Sequence, residues 1–288
     1  MDSEQADRHI ERLDASAEHR SVPFLDGRVM RWRVFGTGDP LVLIHGGHGS
    51  WLHWIRNIEA LSRDHSVFVA DLPGFGDSDD PPPGAGMQTI VDAVIAALDA
   101  LFGVGGAIDL AGFSFGGVVS ARVAAQRGAV RRLALLGSPG TQTPKRPEAE
   151  LIRWRKLDQP EQEAALRHNL LAHMMHAGSN VDALAFRAYA DAVKATRFRS
   201  RGSAHRSVLE DILAAYREPV LFLYGEHDLT CTPEMAKNNL TKGKAHRECR
   251  VIPGGGHWVQ FERAVEVNAE LARWFGAAAT VQSAAVAK

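Results

Sequence analysis

Five short apolar runs constrain what this chain can become. "PLVLIHGG", "SVFVADLPGFG", "AIDLAG", "RRLALLG" and "PVLFLYG" are dominated by Val, Ile, Leu, Ala and Phe, and each ends in glycine. A strand that is apolar on both faces has no solvent side, so it belongs in a sheet covered by helices above and below. Trp51 to Leu61, Thr89 to Phe102 and Phe115 to Gln126 lie between the runs and have helical apolar spacing. This alternation predicts βαβ units and a mainly parallel sheet, an α/β fold. Ahead of the first run, "VPFLDGRVMRWRVFG" reads as two short strands around the turn Asp26-Gly27.

The alternation stops after the fourth run. From about Thr141 to Arg206 the pattern is helical, punctuated at Pro160, Gly178 and Gly202. It resumes with "PVLFLYG", a helix near Glu234 to Leu240, "ECRVIPG" and a last helix from about Gln260 to Phe275. The layout is therefore an N-terminal extension (1–21), an α/β core in two pieces (22–140 and 207–276), a helical insertion (141–206), and an Ala-rich tail (277–288) expected to fray. A chain of 288 residues suits one such domain and buries its core without disulfide staples.

Local propensity fails at "LAGFSFGGVVSA". Ser114 sits between two bulky aromatics, Phe113 and Phe115, with Gly112 and Gly116 two residues to either side. The segment follows a predicted strand and precedes a predicted helix, the context in which G-x-S-x-G makes a nucleophile elbow. The turn is sharp enough that side chains at the glycine positions would crowd it. It leaves the serine hydroxyl exposed and aims the first N–H groups of the helix at developing negative charge.

A serine hydroxyl needs a base, and the base needs an acid to orient it. "IPGGGHWVQFE" offers His257 and "LYGEHDLTCTP" offers Asp228, each in a loop just after a strand, where ligands of parallel sheets bind. Glu226, two residues earlier, competes with Asp228 for the acid's role; His227 lacks a carboxylate. The oxyanion of a tetrahedral intermediate needs two N–H donors. These are assigned to Phe115 and to Gly47 or its neighbour His48 in "LIHGGHGSWLHW". His45, His48 and His53 fit no common zinc spacing, so no metal and no cofactor is expected.

Composition narrows the partners. The formal net charge of −1 gives no electrostatic footprint for nucleic acid or an anionic membrane. Cys231 and Cys249 fit no metal, redox or disulfide pattern, which fits a reducing compartment. The first twenty residues are charged and do not read as a secretory signal. Asp92, Asp99 and Asp109 interrupt the most apolar long stretch, Ile90 to Ala111, so it does not read as a membrane span. The expectation is a cytoplasmic protein acting on a small molecule. The candidate substrate-contacting residues are Phe113, Trp258 and Arg197. Arg197 lies in the basic "TRFRSR" segment, where an arginine can hold a carboxylate. Trp51, Trp54, Met174 and Met175 are further candidates for an apolar lining.

"HGGHG", "DLPGFGDSD", "GFSFGG", "GEHD" and "GGGHW" together resemble the α/β-hydrolase family, over roughly Val22 to Phe275. The resemblance implies a mainly parallel eight-stranded sheet flanked by helices, with the insertion as a helical cap over the site. It implies a serine hydrolase that works through an acyl-enzyme on a small to medium carboxylic ester or related carbonyl substrate. The tail "GGGHWVQFERAVEVNAELARWF" is similar to that of meta-cleavage-product hydrolases, which makes carbon–carbon bond hydrolysis the alternative. Those enzymes usually carry asparagine where this chain has Phe113. A ligand receptor on the same fold with slow turnover is the alternative outside enzymology.

Overall fold

The computed structural model describes residues 1–145, 149–199 and 208–276. Its strands are β1 (Glu18–Pro23), β2 (Val29–Phe35), β3 (Asp39–Ile44), β4 (His65–Ala70), β5 (Ile108–Phe113), β6 (Val130–Leu136), β7 (Val220–Gly225) and β8 (Arg247–Ile252). They form one eight-stranded sheet in the order β1-β2-β4-β3-β5-β6-β7-β8. Strand β2 is antiparallel to both neighbours, and every other pairing is parallel. The fold is therefore the α/β architecture that the apolar runs predict.

The helices are α1 (Ser3–Ala15), α2 (Ile58–Leu61), α3 (Met87–Phe102), α4 (Phe115–Arg127), α5 (Gln159–Asn169), α6 (Ala183–Lys194), α7 (Leu209–Ile212), α8 (Pro233–Thr241), α9 (Val259–Glu262) and α10 (Ala264–Gly276). Successive strand residues point to opposite faces, and each face has its own core. Val42, Ile44, Leu110, Leu133 and Phe222 pack on one side with residues of α3, α4 and α8. Leu41, Leu43, Ala111, Leu136 and Leu221 pack on the other with residues of α10, α5 and α6. No helix among the described residues is long and apolar enough to cross a membrane.

Three local expectations change. Residues 1–21 are not a mere extension. Helix α1 starts at a capping box in which the Gln5 N–H donates to Asp2 Oδ1 (2.8 Å) and the Asp2 N–H to Gln5 Oε1 (3.0 Å). It buries Ala6 and Leu13, and β1 then begins at Glu18, ahead of Val22. Trp51 to Leu61 is not one helix but a 3₁₀ turn, Trp51–Trp54, followed by the single turn α2. The Trp51 N–H at the start of the turn donates to the buried Asp71 carboxylate (2.8 Å). The last helix is broken at Arg263 into α9 and α10.

The insertion lies between β6 and β7. Helix α5 is capped by Asp158 and α6 by Asp182, and a π-helical turn, Leu170–Met174, continues α5. The expected tail (277–288), Arg201 and Gly202 lie outside the described residues.

Arg33 is the polar pin of the N-terminal half. It is 5% exposed and meets Asp14 of α1, Asp71 (3.2 Å) and Asp77 (2.7 Å). Asp71 is fully buried, and burial pushes its carboxyl up despite Arg33 beside it. Removing one partner of a buried pair leaves the other charge uncompensated. Arg33→Met is expected to cost about 3–5 kcal/mol in urea unfolding, and adding Asp71→Asn is expected to recover part of that loss. A loss no larger than that of the exposed Arg8→Ala would show that the pin carries little.

Candidate active site

Parallel register brings the carboxyl ends of β3, β5, β6, β7 and β8 to one edge of the sheet. Ser114 is the single residue between β5 and α4, at φ +51° and ψ −117°, a left-handed conformation rare for a residue with a side chain. Its N–H donates to Leu136 O (2.8 Å), which fixes the turn to β6. The flanking glycines are sterically required. A Cβ on Gly112 would lie 2.5 Å from Gly116 O, and one on Gly116 would lie 2.1 Å from His45 O.

Ser114 Oγ is 3.0 Å from His257 Nε2. His257 Nδ1 is 3.0 and 3.1 Å from the two Asp228 oxygens. Asp228 is fully buried and His257 nearly so. The Thr230 N–H and hydroxyl also donate to Asp228 Oδ1, at 2.8 and 2.7 Å. Burial alone would raise the Asp228 carboxyl. The charge and hydrogen bond of His257, with the Thr230 donors, outweigh it and hold the carboxyl below its ordinary value. Glu226 faces the other way: its Oε2 accepts from the Gly254 N–H (3.0 Å) and its side chain is half exposed. Of the two acids the sequence leaves open, only Asp228 faces the imidazole.

The loop after β3 is held by two buried histidines. His45 Nδ1 bonds Gly46 O (2.7 Å), and its Nε2 accepts from the Leu72 N–H (2.9 Å). His53 Nδ1 accepts from the Gly46 N–H (3.1 Å). Burial lowers His45 to about 4 and His53 well below its ordinary value. Both are neutral scaffold groups: three of their four ring nitrogens bond the backbone, and His53 Nε2 is buried with no hydrogen-bond partner among the described residues. The N–H of Gly47 and that of Phe115, the first residue of α4, have no protein acceptor among the described residues. His48, exposed and at φ +57°, forms the corner of the loop.

The three candidate substrate contacts are placed differently from expectation. Phe113 is 1% exposed and Trp258 fully buried. The Phe113 ring packs against His257 (5.0 Å) and His53 (5.2 Å). Trp258 packs on Phe261, and its Nε1 donates to His53 O (2.9 Å). Both belong to the core beneath the site. Arg197 directs its guanidinium to Asp80 (2.5 Å) and to the carbonyls of Gly76, Ser78 and Ala195, so it fastens the insertion to the loop after β4. Trp51, Trp54, Met174 and Met175 are likewise buried.

The sequence reading missed three groups. His173, on the π-helical turn, places its ring 5.4 Å from that of His257. Glu262 is buried against the loop that carries His257. Gly137 follows β6 at φ +52°, where a Cβ would lie 3.2 Å from both Asp228 Oδ2 and His257 Nδ1.

Residues 39–264 match the family model described as alpha/beta hydrolase fold. The chain is 31% identical over 263 residues to the dihydrolipoyllysine-residue acetyltransferase component of the acetoin cleaving system of Pseudomonas putida. That match covers 85% of this chain and 66% of the relative, just under two thirds of its length. The chain is 27% identical over 262 residues to (E)-2-((N-methylformamido)methylene)succinate hydrolase of Acinetobacter baylyi, covering 88% of this chain and 97% of the relative. Among solved structures, an esterase from Rhodococcus sp. ECU1013 superposes with a TM-score of 0.75 at 23% identity, covering 90% of this chain and 98% of the other. The last likeness is one of fold.

Gly137→Ala adds a methyl group in a left-handed conformation directly against the His257–Asp228 pair. Displacing the imidazole by a fraction of an ångström is expected to lower turnover by up to about 100-fold. Gly128→Ala, also at positive φ (67°) but with nothing within 4 Å, is the control. Both variants should melt lower than wild type, and only Gly137→Ala should lose turnover of an aryl ester. Equal turnover in the two would remove the steric argument.

Proposed function

This chain belongs to the α/β-hydrolase fold family, and we propose that within it the protein is a serine hydrolase. In this reading it acts through an acyl-enzyme on a small to medium carboxylic ester or related carbonyl substrate. The observation that carries the reading is the unbroken hydrogen-bond chain from Ser114 Oγ through both nitrogens of His257 to the buried Asp228 carboxylate. The relative named as a hydrolase, matched over 97% of its length, supports it.

In the first step His257 Nε2 takes the Ser114 proton while Oγ attacks the substrate carbonyl. Asp228 accepts from Nδ1–H, which leaves Nε2 as the basic nitrogen and stabilises the imidazolium that forms. The tetrahedral oxyanion is received by the N–H groups of Phe115 and Gly47, and the N-terminus of α4 adds to the favourable field. Collapse expels the alcohol, which takes the proton from Nε2. Water then enters with His257 as base, repeats the attack on the acyl-enzyme and releases the acid.

We place ester hydrolysis ahead of carbon–carbon bond hydrolysis. Carbon–carbon cleavage also needs a site that stabilises a carbanionic leaving group. The position before the nucleophile is filled by the buried ring of Phe113, and the guanidinium of Arg197 is engaged elsewhere.

A fluorophosphonate probe is expected to label wild-type protein at Ser114 alone, and Ser114→Ala should abolish both labelling and ester turnover with folding intact. Asp228→Asn should lower kcat by about 10⁴-fold, the size of the matching effect in serine proteases, and Glu226→Gln should leave it nearly unchanged. Labelling at another residue, or the reverse ranking of the two acids, would overturn the assignment.

A further inference from the structure

The proposed base and acid stand on two core loops, yet both loops are fastened to one short segment of the insertion, Met174 to Ala177. Trp258, which follows His257, donates its N–H to Met174 O (2.7 Å). Gly256, which precedes His257, donates to Glu262 Oε2 (2.6 Å). The same carboxylate accepts from the insertion: the His176 N–H at 3.0 Å to each oxygen, the Ala177 N–H at 2.9 Å and Asn180 Nδ2 at 2.9 Å. The approach is so close that a Cβ on Gly256 would lie 2.6 Å from the His176 nitrogen. On the acid side, the His176 ring stacks on His227, the residue before Asp228, with centroids 3.5 Å apart. The same stretch of chain holds the His173 ring against His257.

We infer that Glu262 is a positioning residue that sets His257 against Ser114 by tying its loop to the insertion, so that proton transfer depends on the insertion being seated. The inference rests on the serine-hydrolase reading above. The chemistry of the pocket makes it specific. Four N–H groups, all neutral, converge on the two oxygens, a donor set that fits a carboxylate and not an amide. In Glu262→Gln one oxygen still receives the insertion's donors, but the amide NH₂ then faces the Gly256 N–H, donor against donor. That substitution releases the His257 side of the link and leaves side-chain volume unchanged.

The test is the rate constant for fluorophosphonate reaction at Ser114, per folded molecule, with kcat and KM on an aryl ester. Glu262→Gln is expected to lower the rate constant and kcat together by about 100-fold, with KM little changed. Asn180→Ala removes one insertion-side donor and should lower both by about five- to tenfold. Asp80→Ala removes the carboxylate partner of Arg197 at the other end of the insertion without touching the His257 loop and should leave the rate constant at the wild-type value. A Glu262→Gln protein that melts lower but reacts at the wild-type rate constant would reduce Glu262 to a structural role and overturn the inference. Should Glu262→Gln fail to fold, a wild-type rate constant in Asn180→Ala overturns it equally. Absence of labelling at Ser114 in the wild-type protein would remove the hydrolase reading, and this inference with it.

Discussion

The site depends on a backbone crossing with no room in it. Strand β5 turns into α4 through Ser114 alone, and the turn backs onto the loop after β3, with Gly116 against His45 O. A non-glycine residue held in a sparsely populated conformation costs of order 1–3 kcal/mol and persists only where its surroundings over-determine it. Here β5 is hydrogen-bonded to both β3 and β6, with Gly112 level with Ile44 on one side and Leu135 on the other. The ladder fixes the end of β5, and the Ser114 N–H continues it to Leu136 O. The strain is thus distributed into the centre of the sheet, and the hydroxyl emerges at the same level as the loops after β7 and β8.

The second constraint is that two histidines stay neutral. With His45 lowered to about 4 by burial and His53 lower than its ordinary value for the same reason, both rings act as hydrogen-bonding wedges without charge. Their bonds assign the tautomers: His45 carries its proton on Nδ1, toward Gly46 O, and His53 accepts at Nδ1 from the Gly46 N–H. Gly46 has both polar groups occupied, so the next N–H, that of Gly47, is the first left for a ligand. A cation in either ring would place charge beside the elbow and force one of these bonds to reverse. His45 and His53, which have no role readable in the sequence, are in three dimensions the frame of the proposed oxyanion loop.

Much of this was legible in the sequence, and the reasons are local. The alternating apolar runs set the sheet because strands buried on both faces have no other home, and the elbow stood out because glycine and serine contradict the propensities around them. The choice between Asp228 and Glu226 was not legible. Both are carboxylates in one loop, and only the loop's path, turned by the Asp228 N–H to Gly225 O bond, separates them. Phe113 and Trp258 lie in the core and Arg197 on Asp80 for a shared reason: residue type reports what a side chain is able to bind, and burial and partners decide what it does bind. Glu262 was invisible because three of its four donors, the His176 and Ala177 N–H groups and Asn180 Nδ2, lie more than eighty residues away in the chain, and such pairing leaves no compositional trace. Gly137 looked like an ordinary strand end until the His257–Asp228 pair was placed against it.

Two of the attachments of the insertion differ in kind. At one end Arg197 reaches Asp80, whose side chain is 62% exposed, and the carbonyls of the loop after β4. An ion pair so open to solvent contributes little, about 0–1 kcal/mol. At the other end a buried carboxylate gathers four neutral donors, and leaving any one of those donors unpaired in a buried place costs about 1–3 kcal/mol. The buried-carboxylate attachment is the one next to the proposed base; the other rests on the Arg197 and Phe198 N–H bonds to Gly74 O (2.9 and 3.0 Å) and on the Phe198 ring, which packs on Phe75 (5.9 Å) and Phe115 (6.1 Å). The insertion is therefore anchored by a buried carboxylate next to the proposed base, where geometry must hold a proton-transfer bond of 3.0 Å.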